Sequence, residues 1–151
     1  MMMKKNKKIL YTIGFTGTTA ENFFKRLKEN NISKLIDIRL NNKSQLSGFA
    51  KKDDIKFFLK EILKIKYIHV PKFAPSDEIL KNYRNKEMDW TTYEKLYSKL
   101  IIDRNVEKIL SLRELNRSCL LCSESKETYC HRRILAEYLK GKFPDLSIIH
   151  L

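Results

Sequence analysis

Short apolar runs alternate with segments of helical periodicity along the whole chain, and this alternation limits the possible folds more than any other feature. KILYTI (8–13), KLIDI (34–38), KYIHV (66–70), RSCLLC (117–122) and LSIIHL (146–151) each have strand length and carry few charges. Between the first two, Ala20, Phe23, Phe24 and Leu27 recur at helical spacing, and Thr18 with Glu21 three residues on reads as a capping box. Asp53 or Asp54 is expected to cap a second helix carrying Ile55, Phe58, Leu59 and Ile62. Ser76 and Asp89 read as N-caps of two more helices, and a further helix is expected from about Asp103 to Leu115. CHRRILAEYLKG reads as a last helix ending at Gly141. Strand and helix in alternation predict a single-domain three-layer α/β fold over residues 1–151, with a mainly parallel sheet of about five strands and helices on both faces. Residues 1–7 are expected to form a flexible basic N-terminus.

The chain of 151 residues is long enough to bury one substantial core. Its start, MMMKKNKKILYTIG, is too short and too charged for a signal peptide, and no apolar run approaches the roughly 20 residues that cross a bilayer. A cytoplasmic protein with no membrane partner is the expectation. Three cysteines without an export signal predict reduced thiols rather than a disulfide framework. The net charge of +13 attracts polyanions, yet lysine is spread over nearly every segment instead of forming one stripe. Solvated lysine faces therefore explain most of the charge, and nucleic acid stands as a partner class beside a phosphate-bearing small molecule.

In an open parallel sheet, ligands bind beyond the carboxyl ends of the strands. Gly14 leaves the first strand there, Asp37 and Arg39 leave the second, and Cys122 and Glu124 leave the fourth. The helix beginning near Cys130, His131 and Arg132 points its N-terminus back at the same edge. Exposed amides and adjacent cations at that end favour a thiolate, a bound anion, or both. The competing reading has Cys130 as packing, His131 in a local hydrogen bond and the arginines at the surface. Asp37 and Arg39 either pair to tie down the loop or orient a substrate, with Arg39 placed to hold an anion bidentately.

A structural zinc site would draw on Cys119, Cys122, Cys130 and His131, but Cys119 and Cys122 lie three apart on a strand and point to opposite faces. Cys119 reads as a small buried residue. An open mixed-ligand iron or zinc site from Cys122, Glu124, Cys130 or His131 is the alternative that survives. No cofactor is expected. G-F-T-G at 14–17 lacks the full glycine pattern and following lysine of a phosphate loop. Trp90, Tyr93, Tyr97 and Leu100 recur at helical spacing and read as core, while His69 and His150 end strands.

TIGFTG, LIDIR followed by Ser44 and Gly48-Phe49, the APS stretch, DWTTYEKLY, and LLCSES with CHRRILAEYL together resemble the family called domain of unknown function 488. The resemblance runs from about Tyr11 to Leu151, and Cys122-x-Glu124-x5-Cys130-His131-Arg132 is its most specific element. It implies a compact α/β fold and a site drawn from Gly14, Asp37, Arg39, Ser44, Cys122, Glu124, Cys130, His131 and Arg132. Glu127 stands where the family usually has a proline before the Cys-His-Arg segment. The expected function is an enzyme acting on a phosphate-bearing substrate, nucleotide or nucleic acid. Gly14, Arg39, Ser44 and Arg132 would bind that substrate; Cys130 or Cys122 would be the nucleophile, and Glu124, Asp37 or His131 would move protons. A noncatalytic nucleic-acid-binding protein and a metal protein are the alternatives.

Overall fold

The computed structural model describes residues 6–43 and 48–151; Ser44 and the first five residues of the expected N-terminal segment lie outside them. The five apolar runs form strands β1 (Lys8–Gly14), β2 (Lys34–Asp37), β3 (Lys66–His69), β4 (Ser118–Cys122) and β5 (Leu146–His150). They pair in parallel throughout, in the order β3-β2-β4-β1-β5. Six α-helices accompany them among the described residues: α1 (Ala20–Glu29), α2 (Lys52–Phe58), α3 (Asp77–Arg84), α4 (Trp90–Asp103), α5 (Leu112–Leu115) and α6 (His131–Lys142).

Side-chain alternation along each strand divides the core into two layers. Tyr11, Ile13, Leu35, Cys119 and Leu121 pack with Phe23, Phe24 and Leu27 of α1 and Ile55 of α2. Leu10, Ile36, Leu120 and Cys122 face the other way, against α3, α4, α5 and α6. The three-layer expectation is met, and Cys119 and Cys122 face opposite layers as their spacing requires.

Ser76 and Asp89 cap α3 and α4 by accepting from the backbone amides of Ile79 and Thr92. Four local expectations are corrected. The N-cap of α1 is Thr19, whose hydroxyl accepts from the Asn22 amide, because Thr18 is drawn into the turn through Gly17 and bonds the Asn22 side chain instead. Neither Asp53 nor Asp54 caps α2; both lie in its first turn, and the helix continues as a wider π-type turn over Leu59–Leu63. The segment from Asp103 to Leu115 is broken, since Asn105 takes a left-handed backbone (φ 51°), after which Ser111 opens α5 with a full capping box. Gly141 lies inside the last turn of α6, which ends at Lys142.

β2 and β4 are neighbours, but β2 leads through α2 to β3 on one side and β4 leads through α6 to β5 on the other. Adjacent strands whose connections diverge over opposite faces leave a crevice at their carboxyl ends.

Candidate functional site

An open cleft of about 800 Å³ occupies that crevice. Arg39, Leu40 and Asn41 enter it from the end of β2, and Cys122, Ser123 and Glu124 from the end of β4. Cys130 and His131 at the start of α6 close its floor. The far wall is aromatic and comes from α3, α4 and the loop before α6, with Tyr83, Tyr93 and Tyr129 among its lining residues.

Cys130 is the N-cap of α6 and His131 its first helical residue, so both side chains come back over the end of β4. His131 Nε2 lies 3.0 Å from the carbonyl oxygen of Ile38. A carbonyl only accepts, so this nitrogen carries the proton and Nδ1 is turned to the Cys122 sulfur at 3.7 Å. All three groups are buried, and the cysteines are free. The Cys130 thiol beside it, with the His131 ring, holds the Cys122 thiol well below the usual thiol range against the penalty of burial. Burial and the bond to Cys122 push the Cys130 thiol up. For His131 burial acts downward, but the Cys122 charge and hydrogen bond outweigh it and raise the ring. The arrangement sets the Cys122 sulfur between the Cys130 thiol and the His131 ring, and both favour its thiolate form. Burial and the nearby Cys122 charge also raise the carboxyl of the exposed Glu124, which keeps its proton longer than an ordinary carboxylate.

Arg39 and Asp37 form a second, fully buried unit behind the cleft. Asp37 accepts from Arg39 Nε at 2.9 Å, Arg39 Nη2 at 2.8 Å and the Arg39 amide at 3.1 Å. The Asn42 amide at 3.2 Å and the Tyr67 hydroxyl at 2.5 Å complete its shell. Burial alone would raise the Asp37 carboxyl, but these donors, Arg39 foremost, hold it below its ordinary value. The bidentate fork expected to hold an anion is therefore spent on Asp37. Arg39 Nη1 stays buried without a hydrogen-bond partner among the described residues, while the guanidinium carbon sits 5.2 Å from the centre of the Phe15 ring. His69 Nε2 donates to the Arg39 carbonyl (2.7 Å), and His150 pairs with Thr12.

Arg132 does not line the cleft. Fully buried, it donates from Nη1 to the Glu124 carbonyl at 2.5 Å and from Nη2 to the Ser125 carbonyl at 3.3 Å. It fastens the loop between β4 and α6. Gly14 belongs to the same joint: a Cβ there would stand 1.6 Å from the Glu124 carbonyl oxygen and 2.4 Å from Arg132 Nη1. Only glycine lets that loop lie against the end of β1.

Of the nine residues singled out in the sequence, the cleft thus gathers Arg39, Cys122, Glu124, Cys130 and His131. Asp37 stands behind Arg39, Gly14 and Arg132 hold the loop, and Ser44 lies outside the described residues. A family model described as domain of unknown function DUF488 matches residues 19–139. The chain belongs to that family. No curated protein and no solved structure matches it. Within this DUF488 chain the aromatic wall and the Tyr67–Asn42 clamp on Asp37 were missed by sequence reasoning. Tyr93 was read as core from its helical spacing, and it is buried, but its ring also borders the cleft.

Proposed function

We propose that this protein is an enzyme that uses Cys122 as a nucleophile on a phosphate-bearing substrate bound in the cleft. The observation that carries this reading is His131, fixed through Nε2 on the Ile38 carbonyl with Nδ1 on the Cys122 sulfur. A nucleophile, a base and a group orienting the base are the elements of cysteine catalysis. In the reaction, the Cys122 thiolate forms a bond to the electrophilic atom of the substrate. The bond to the leaving group breaks, and that group takes its electron pair and a proton from Glu124. Water then displaces the sulfur, returns its proton to Glu124 and restores the thiolate. Arg39 holds the anionic part of the substrate through the nitrogen that Asp37 leaves free. Arg132 and Gly14 keep the β4–α6 loop in place. Such a thiolate stays usable in a reducing compartment, in keeping with a cytoplasmic protein.

Alkylation with iodoacetamide, followed by peptide mass mapping with and without millimolar phosphate, tests this reading. Cys122 should react first and be protected by phosphate, and a Cys122→Ser protein should lose the fast phase. Equal, slow labelling of all three cysteines, indifferent to phosphate, overturns it.

One further observation favours a second reading. Cys122, Cys130 and His131 each offer a ligand atom, and these atoms lie within 4.8 Å of one another. Three ligands beside an open cleft suit a catalytic rather than a closed structural metal site, with the Ile38 carbonyl orienting the histidine. Glu124 stands outside that cluster. Elemental analysis of protein purified without added metal separates the two: a stoichiometric ion makes Cys122 a ligand, and its absence leaves the thiolate as nucleophile.

A further inference from the structure

Two kinds of surface meet across the cleft. On one side lies Arg39, 4% exposed, with Nη1 unpartnered among the described residues, and Arg84 at the end of α3 adds an exposed second cation to the lining. On the other side four aromatic rings form one continuous cluster. Trp90 stacks on Tyr93 (4.9 Å between centroids, 19° between planes) and meets Tyr129 edge-on at 5.5 Å and Tyr83 at 5.8 Å. Tyr83 and Tyr93 are 4.9 Å apart. Trp90 thus backs a wall whose front is Tyr83, Tyr93 and Tyr129. Tyr129 is 63% exposed, a large ring left in solvent at the mouth of the cleft.

A cleft lined both by a guanidinium with an unpartnered nitrogen and by aromatic rings selects a ligand that carries both an anion and a flat π-system. Phosphate alone would leave the wall unused, and a sugar phosphate would bring to it C–H groups but no flat π face. The cleft volume of about 800 Å³ lies within the range of small-ligand sites and takes a single nucleotide unit.

We propose that the cleft binds a nucleoside 5′-phosphate unit, its phosphate on Arg39 and its base against Tyr83 and Tyr129. This names the substrate class for the reading given above and rests on it. The unit has two sources, a free mononucleotide or one residue of a single strand, which the +13 chain would attract.

Binding is measured by calorimetry with inorganic phosphate, adenosine and uridine 5′-monophosphates, and a short single-stranded oligonucleotide, on the intact chain and on Tyr129→Ala and Tyr83→Leu. Tyr129 is mostly exposed and meets the cluster edge-on at Trp90, so Tyr129→Ala should keep the fold. At least one monophosphate or the oligonucleotide should bind about tenfold or more tighter than phosphate, the scale of one base stacked on an aromatic ring. Both tyrosine variants should erase that advantage and leave phosphate binding unchanged. Tyrosine-dependent binding of mononucleotides identifies the free ligand, and tyrosine-dependent binding of the oligonucleotide alone identifies a strand. Nucleotide and phosphate binding equally, or nucleotide binding indifferent to both variants, overturns the proposal while the thiolate reading stands. No binding of phosphate or nucleotide, with Cys122 unprotected, removes both.

Discussion

His131 joins two strands at once: its Nε2 is tied to the carbonyl of Ile38 at the end of β2, and its Nδ1 lies 3.7 Å from Cys122 Sγ at the end of β4. The helix that carries it therefore delivers a defined tautomer to a thiol, and the ring cannot turn away without breaking a buried bond.

The pH dependence of alkylation follows from this pair. The folded Cys122 thiol lies below the free-thiol value of about 8.5, so its alkylation rate should persist as pH falls well under that value. His131→Gln removes the ring that favours the thiolate and should move the inflection upward. Cys130→Ser keeps a donor beside the sulfur and should move it less. Stopped alkylation with mass mapping across pH 5–9 gives all three curves, and an inflection at or above the free-thiol value in the native protein contradicts the account.

Acid stability should report on Asp37. Its folded carboxyl is depressed, so it contributes stability that is present above the unfolded carboxylate value of about 3.9 and is lost as pH falls through the folded one. Denaturant unfolding should change little from neutral pH to about pH 5 and then weaken. Asp37→Asn should be less stable at neutral pH and show a smaller loss in acid. Arg39→Ala leaves a buried carboxylate without its principal partner and should cost about 3–5 kcal/mol at neutral pH.

Two glycines should respond in opposite senses. Gly14→Ala drives a Cβ into the Glu124 carbonyl and the Arg132 guanidinium, at a cost of about 3 kcal/mol or more, and should also disturb Cys122 reactivity by moving the loop. Gly141→Ala meets open space within the last turn of α6 and should stabilise by about 0.5–1 kcal/mol. Thermal unfolding of both variants checks the pair.

Tyr67→Phe isolates a contact that spans thirty residues of sequence. The hydroxyl donates to Asp37 at 2.5 Å, and its loss leaves Asn42 and Arg39 as remaining donors. A destabilisation of about 1–3 kcal/mol is expected, with the acid transition moved to higher pH because the folded carboxyl is less depressed. An unchanged acid transition would show that the hydroxyl does not act on Asp37.

Strand positions, the parallel sheet and the gathering of Arg39, Cys122 and Cys130 at one edge were legible in the sequence. Apolar run length and alternation depend on burial, which the fold must satisfy everywhere. Helix starts were legible at Ser76 and Asp89, where one side chain alone satisfies the exposed amides, but not at Thr18-Thr19, where two adjacent threonines compete and the Gly17 turn decides. Arg132 read as a surface anion contact because sequence shows charge and not the carbonyls of Glu124 and Ser125 that absorb it. The wall of Tyr83 and Tyr129 was hidden for a related reason: their partner Trp90 lies on another helix, and only packing of α3, α4 and the β4–α6 loop brings the rings together.

A crystal structure of the protein soaked with phosphate or tungstate tests the central claim most directly. The account predicts anion density in the cleft, within hydrogen-bonding distance of Arg39 Nη1 and beside Cys122 Sγ. Density confined to surface lysines, with the Arg39 guanidinium turned away from the cleft and no anion beside Cys122, would contradict it.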